Sequence, residues 1–185
     1  QVIGGAPPEI MGHKAPAIGE AGARLRLELD RVAIRDIASE IEWAKVGMLT
    51  PESYPTQAAR AGRRVADLDH TAMSRLWATY EEVKAARHVI DFEDVLLLMA
   101  GFLVERDDVA RTVREQYRHF VVDEYQDVNQ VQQTLLDLWL GDRSDVCVVG
   151  DPAQTIYSFT GASPRHLREF AGKHKDATTV RLVRN

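Results

Sequence analysis

Cysteine is almost missing from this chain: Cys147 is the only one in 185 residues. A lone cysteine closes no intrachain disulfide. Its place inside the apolar run "VCVVGD" (146–151) predicts a buried small hydrophobe in the reducing cytoplasm. No His/Cys spacing resembles a zinc site. Long apolar runs are missing too. The longest, "VLLLMAGFLV" at 95–104, is far too short to span a bilayer. The N-terminus lacks a basic region followed by an apolar one, so no secretory signal is visible. Nor is there an excess of positive charge. The formal net charge of −5 argues against a mainly electrostatic nucleic-acid binder. It leaves room for a protein that grips bases by stacking. There is no internal repeat and no low-complexity segment. What remains is 45% hydrophobic and 28% charged, a soluble globular composition with enough length for one sizeable domain or a domain plus a small insertion.

The first half has a helical texture. Residues 1–22 are rich in Gly, Pro and Ala, show no clear period and read as loop or linker. From about Leu25 to Val46, the residues Leu29, Ala33, Ile37, Ile41 and Ala44 form one stripe, and Gly47 suits the stop. Thr50-Pro51-Glu52 is a helix-start signal. A second long helix is predicted from about Asp67 to Arg87, with Leu68, Ala72, Leu76, Tyr80 and Val83 as its stripe. Asp91 can cap a further helix whose Val95–Met99 stretch is almost wholly apolar, which predicts burial on all sides. One more helix is expected over 108–117.

After that the texture changes. Residues 119–123 and 145–149 are short, apolar and β-branched. Between them "NQVQQTLLDLWL" reads as a helix closed by Gly141, and "SPRHLREFAG" (163–172) as a helix capped by Ser163. "TTVRLV" (178–183) reads as a third strand. Strand alternating with helix implies parallel strands joined by right-handed crossovers. Ligands of open parallel sheets bind outside the carboxyl ends of the strands. Asp123, Glu124 and Asp151 all fall there. Acids also follow strands simply as caps for the next helix, and one alone would be read so. A doubled acid on one strand and a single acid on the next point further. An Asp directly after a strand is well placed to hold Mg²⁺, a hard cation that takes oxygen ligands. The next residue, Glu124, can orient and deprotonate a water, as hydrolysis of a nucleoside triphosphate requires.

"VVDEYQDVN" (121–129) resembles the DExQD motif of superfamily 1 helicases. "VVGDPAQTIYSFTGA" (148–162) resembles their next motif, V-G-D-x-x-Q-[SAT]-I-Y-x-[FW]-R-G-A, and the gap between the two also matches. "DFEDVLLL" (91–98) resembles the family's D-F-x-D-L-L segment, and "LVRN" (182–185) the opening of L-x-x-N-Y-R-S. The resemblance is to the UvrD/Rep/PcrA branch of 3′-to-5′ DNA helicases. It is close over residues 91–185. Residues 1–90 resemble the helical 1B insertion of that family only in length and texture, with "GMLTPESY" a shared phrase.

The resemblance implies an α/β fold, a partial RecA-like parallel sheet of the P-loop NTPase type (residues 91–185, from motor domain 1A) preceded by an all-helical insertion (1–90). It implies that Asp123 holds Mg²⁺ and Glu124 is the catalytic base. Gln154 would sense the γ-phosphate of ATP. Gln126, Asp127 and Asp151 would link nucleotide state to DNA. Tyr157 and Phe159 would stack on bases of single-stranded DNA, and single-strand/double-strand junctions would be substrates. Stacking holds DNA without reading it. Core packing is the competing reading for both aromatics. Thr160 stands where the family has Arg, and Val128 where it has Thr.

A P-loop, G-x-x-x-x-G-K-[ST], is missing. Gly12-His13-Lys14 and Gly172-Lys173-His174 both fail the pattern. The start on Gln1 and this absence fit an internal segment lying between a P-loop and a second motor domain. Such a segment should be inert by itself. Its parent would be an ATP-dependent helicase or translocase of DNA repair or replication, or a helicase–nuclease subunit of the RecB or AddA type. A reading of another class is a non-enzymatic binding module that kept the fold and lost catalysis. Asp123, Glu124 and Gln154 argue against it.

Overall fold

The computed structural model describes residues 6–155 and 161–182. The chain divides into two compact units, residues 1–99 and 100–185.

In the first unit, β1 (Glu9–Ile10) leads to α1 (Ala15–Arg24), α2 (Arg31–Val46), α3 (Tyr54–Arg60), α4 (His70–Ala86) and β2 (Val89–Ile90), and α5 (Phe92–Glu105) begins there. Asp30 and Asp69 cap α2 and α4 by accepting from Ala33 N–H and Ala72 N–H, each at 2.7 Å. Each such cap contributes about 1 kcal/mol. The core is one cluster in which Ile18, Ile37, Ile41, Tyr54, Leu76 and Tyr80 are fully buried. Burying an aliphatic side chain of this size stabilises the unit by about 1.5–3 kcal/mol.

Residues 15–24 correct the reading of 1–22 as loop. Ala17, Ile18, Ala21 and Gly22 form the buried side of α1. Ile18 is its one bulky member; the others are small, so no period of large apolar residues announces the helix. A Cβ on Gly22 would lie 2.6 Å from Leu29 Cδ1, so glycine lets the Leu29 side chain pack directly against the helix backbone. The all-helical reading of this half also misses one feature. β1 and β2 pair in parallel, Glu9 with Val89 and Ile10 with Ile90, over too few residues to show alternation. Leu25–Asp30 lies outside α2, which starts only after the Asp30 cap.

Five charged side chains and a tyrosine meet inside this unit. Lys45 Nζ lies 2.8 Å from both carboxylate oxygens of Asp91 and 3.2 Å from Glu81 Oε1, and it also reaches Asp94. Lys84 Nζ lies 3.0 Å from Asp91 Oδ2 and 2.7 Å from Glu81 Oε2, and it reaches Asp94 too. Tyr80 O–H donates to Asp91 Oδ2 at 2.9 Å. Asp91 and Asp94 cap the first turn of α5 reciprocally, each accepting the other's backbone N–H at 3.0 Å. Burial alone would raise the Asp91 carboxyl, but Lys45 and Lys84 outweigh it and hold it well below the usual carboxylate range. Burial lowers the Lys84 ammonium, and its acidic partners, Asp91 first, more than reverse this. Burial followed by the charge of Asp91 pushes the Tyr80 hydroxyl far up, so it stays a donor. Glu81, Asp91 and Asp94 bring oxygens within 4.8 Å of one another, as a metal site would. The two ammoniums already stand among them, so the cluster is an ion-pair knot.

In the second unit, α5 runs on into α6 (Asp107–Gln116), β3 (Phe120–Val122), a 3₁₀ turn at Tyr125–Asp127, α7 (Gln130–Leu140), β4 (Val146–Val148), a 3₁₀ turn at Pro152–Gln154, and α8 (Arg165–Lys173). β3 and β4 are parallel, with Phe120 opposite Val146 and Val122 opposite Val148. α7 is the crossover between them. It starts on a capping box in which Asn129 Oδ1 accepts from Gln132 N–H and Gln132 Oε1 from Asn129 N–H. Its end is tied by Arg143, whose guanidinium donates to the carbonyls of Trp139, Leu140, Tyr117 and Arg118. Phe120, Val122, Val146 and Val148 pack with Tyr125, Leu136, Leu140, Leu167 and Phe170.

The opposite face of this sheet is bare. Val121 is 78% exposed and Val149 51%. Cys147 between them is exposed as well, against the expectation of burial. In a strand, neighbours point to opposite faces, and Cys147 alternates with the packed Val146 and Val148. α5 is likewise not buried all round: Ala100 and Leu103 are covered, while Leu98, Met99 and Val104 are exposed. Residues 178–182 are not a strand, and Val183 lies outside the described residues. No helix among the described residues is long and apolar enough to cross a membrane.

Candidate functional site

The parallel register delivers Asp123 and Asp151 beyond the same ends of β3 and β4. Pairing continues past both strands: Val149 N–H donates to the Val122 carbonyl at 2.8 Å, and Tyr125 N–H to the Val149 carbonyl at 2.9 Å. Between these bonds the chain turns on Glu124, whose φ of 51° and ψ of 39° are left-handed. A non-glycine residue there is strained by about 1–2 kcal/mol. The turn leaves Asp123 and Glu124 exposed and sends Tyr125 inward. Tyr125 meets Phe170 edge-on at 5.7 Å, and its hydroxyl donates to Gln133, which in turn donates to Asp137 at 2.8 Å. The tyrosine anchors the turn from below.

Asp123 Oδ1 accepts from Glu124 N–H at 2.9 Å. Gln126, only 1% exposed, spends both ends of its carboxamide on this site. Its Nε2 donates to Glu124 Oε2 and lies 3.5 Å from Asp127 Oδ2, while its Oε1 accepts from Asp151 N–H at 3.0 Å. Asp151 Oδ1 accepts from Ala153 N–H at 2.9 Å, and Oδ2 from Gln154 Nε2 at 3.0 Å. The backbone donor first, and Gln154 next, hold the Asp151 carboxyl below its usual value. A chain of contacts therefore runs from Glu124 through Gln126 and Asp151 to Gln154. Asp127 Oδ1 is buried without a hydrogen-bond partner among the described residues.

The geometry thus brings together Asp123, Glu124, Gln126, Asp127, Asp151 and Gln154. Tyr157, Phe159 and Thr160 lie outside the described residues. One contributor went unread in the sequence. A Cβ on Gly150 would stand 2.4 Å from Gln126 Oε1 and 3.1 Å from the Tyr125 backbone nitrogen. The signal was the glycine itself, standing between a strand and its acid.

The oxygen donors fit a hard divalent cation such as Mg²⁺. Among the described residues only the Oδ1 oxygen of Asp123 accepts a hydrogen bond, and exposed carboxylates that leave room for water suit this ion.

Residues 15–175 match the model of the UvrD/REP helicase N-terminal domain. The chain belongs to the UvrD/REP helicase family. It is 44% identical over 180 residues to the ATP-dependent DNA helicase UvrD2 of Mycobacterium tuberculosis, covering 96% of this chain and 26% of that protein. It is 34% identical over 159 residues to the ATP-dependent DNA helicase Rep of Salmonella typhimurium, covering 86% of this chain and 23% of Rep. With the ATP-dependent DNA helicase PcrA of Leuconostoc citreum the identity is 29% over 161 residues, covering 87% and 21%. The chain thus spans about a quarter of the length of the UvrD2 relatives it matches. As a UvrD/REP helicase segment, it has a mixed helix and strand structure with short parallel sheets, compatible with part of a helicase motor domain.

Proposed function

We propose that this segment supplies the hydrolytic half of an ATP site in a 3′-to-5′ DNA helicase of the UvrD/REP family, active in the cytoplasm in DNA repair or replication. Residues 91–185 are the later part of a RecA-like motor domain, and residues 1–90 a 1B-like insertion. The P-loop and the second motor domain belong to other parts of the same polypeptide. The observation that carries the reading is Glu124: an exposed carboxylate at a strand end, on a left-handed residue, held on one oxygen by a buried amide.

Asp123 would hold Mg²⁺, and Gln154 would contact the γ-phosphate. When bound, the metal neutralises charge on the phosphates. Glu124 takes a proton from the attacking water as that oxygen bonds to the γ-phosphorus. The bond to the leaving β-phosphate oxygen breaks, and its electron pair stays on ADP. Gln126, Asp127 and Asp151 join this event to the segment that ends at Tyr157 and Phe159, on which single-stranded bases stack. The substrates are single-stranded DNA and its junctions with duplex.

Glu124→Gln in the full-length protein tests this. ATP binding should persist while DNA-stimulated turnover falls by about 10²–10⁴, the usual worth of a general base. Near-normal turnover would rule the assignment out.

A further inference from the structure

Gln126 is a short bridge with no slack. Its side chain is buried, one end of its amide is bonded to Glu124 and the other to the backbone of Asp151. The Asp151 N–H belongs to the residue directly after Gly150. Gly150 does not have a positive φ, unlike Gly62, Gly141 and Gly161, so backbone freedom is not what requires glycine here. Space is. An ideal Cβ would overlap Gln126 Oε1 at 2.4 Å and press on the Tyr125 backbone nitrogen and Leu167 Cδ2, both at 3.1 Å. The amide oxygen can retreat only by giving up Asp151 N–H. The amide is rigid and planar, so its nitrogen then leaves Glu124.

We propose that Gly150 and Gln126 are a positioning pair: the bare Cα of Gly150 seats the Gln126 amide, and the amide holds Glu124 Oε2 so that Oε1 is presented to water. This rests on the reading of Glu124 as the base. Neither residue touches the reacting atoms; each acts through Glu124. The pair also links the strand-end segment carrying Asp151 and Gln154 to the base, so a shift of Asp151 displaces the Glu124 carboxylate through one side chain.

The test is a double-mutant cycle in the full-length protein, with steady-state ATP hydrolysis measured on saturating single-stranded DNA. Nucleotide binding and thermal melting check that each variant is folded. Gln126→Ala and Gly150→Ala should each lower kcat by about 10²-fold, the scale on which misplacement by an ångström acts, with KM for ATP unchanged. In the Gln126→Ala background, Gly150→Ala should cost nothing more, because the clash has no amide to move. Where Gly150→Ala fails to fold, Gln126→Met tests the same link: it fills the space without donating and should lose kcat alone. If Gly150→Ala costs as much in the Gln126→Ala background as in the wild type, glycine serves packing against Leu167 and the Tyr125 backbone, and the proposal is overturned. Wild-type kcat in the Gln126 variants, beside an inactive Glu124→Gln, overturns the pair while sparing the base. An active Glu124→Gln removes both.

Discussion

Replacing Asp91 by alanine should come close to unfolding the first unit. Asp91 is 1% exposed and accepts from Lys45, Lys84, Tyr80 O–H and the Asp94 N–H. Without it, two buried ammoniums share Asp94 and Glu81, whose side chains are 18% and 36% exposed and so partly screened by water. Breaking a buried pair from one side costs about 3–5 kcal/mol. The lost cap on α5 adds about 1 kcal/mol. Whole domains have only about 5–15 kcal/mol. The assay is urea unfolding followed by fluorescence of Trp43 and Trp77, with Trp139→Phe in the background to silence the second unit. With a slope of about 1–3 kcal/mol per molar urea, the midpoint should fall by about 2 M. A fall of less than about 0.5 M would refute the view that the knot carries stability. The pH dependence has a fixed sign. In the unfolded chain Asp91 titrates near its usual value of about 3.9, and in the native state it titrates lower. Its contribution is therefore complete above about pH 5 and is lost as pH falls below that. Lys84 is displaced upward, so its contribution is complete below its usual value of about 10.4 and is lost as pH rises past it. Asp91→Ala should flatten the acid limb.

Tyr157→Ala or Phe159→Ala in the full-length protein should weaken oligonucleotide binding by about 1–3 kcal/mol and leave ATP binding intact. A lower melting temperature with unchanged DNA affinity would mark them as core residues. The 185-residue chain alone should release no phosphate from ATP, with or without single-stranded DNA. Release that scales with its concentration and vanishes in Glu124→Gln would overturn this. Cys147 should react with a maleimide in the native chain as fast as in urea, because it lies on the bare face of β4. Protection that only urea relieves would show that face to be covered.

The sequence made visible those features whose cause is local. Asp91 as a cap, Gly141 as a stop and the acids after β3 and β4 each follow from a residue and its immediate neighbours. The helix α1 did not, because Ala17, Ala21 and Gly22 give a close-packing surface without the bulk that marks a period. Nothing local pairs Lys45 and Lys84 with Asp91, which is 46 residues from one and 7 from the other, across a turn. In β3 and β4 both faces are apolar in sequence, so nothing in Val121 or Cys147 told which side would be covered. At the site, placing Asp123, Glu124 and Asp151 together needed only strand ends. The role of Gly150 needed the turn at Glu124 to be known first, because only that turn brings Gln126 against it.

The left-handed turn at Glu124 sets two kinds of selection against each other. Glycine or asparagine would sit there with less strain, by about 1–2 kcal/mol for glycine. A library of this chain sorted for thermal resistance alone should therefore drift toward those residues at position 124. A library sorted for turnover in the whole motor should hold glutamate. Stabilised descendants of this segment should be checked at this position first.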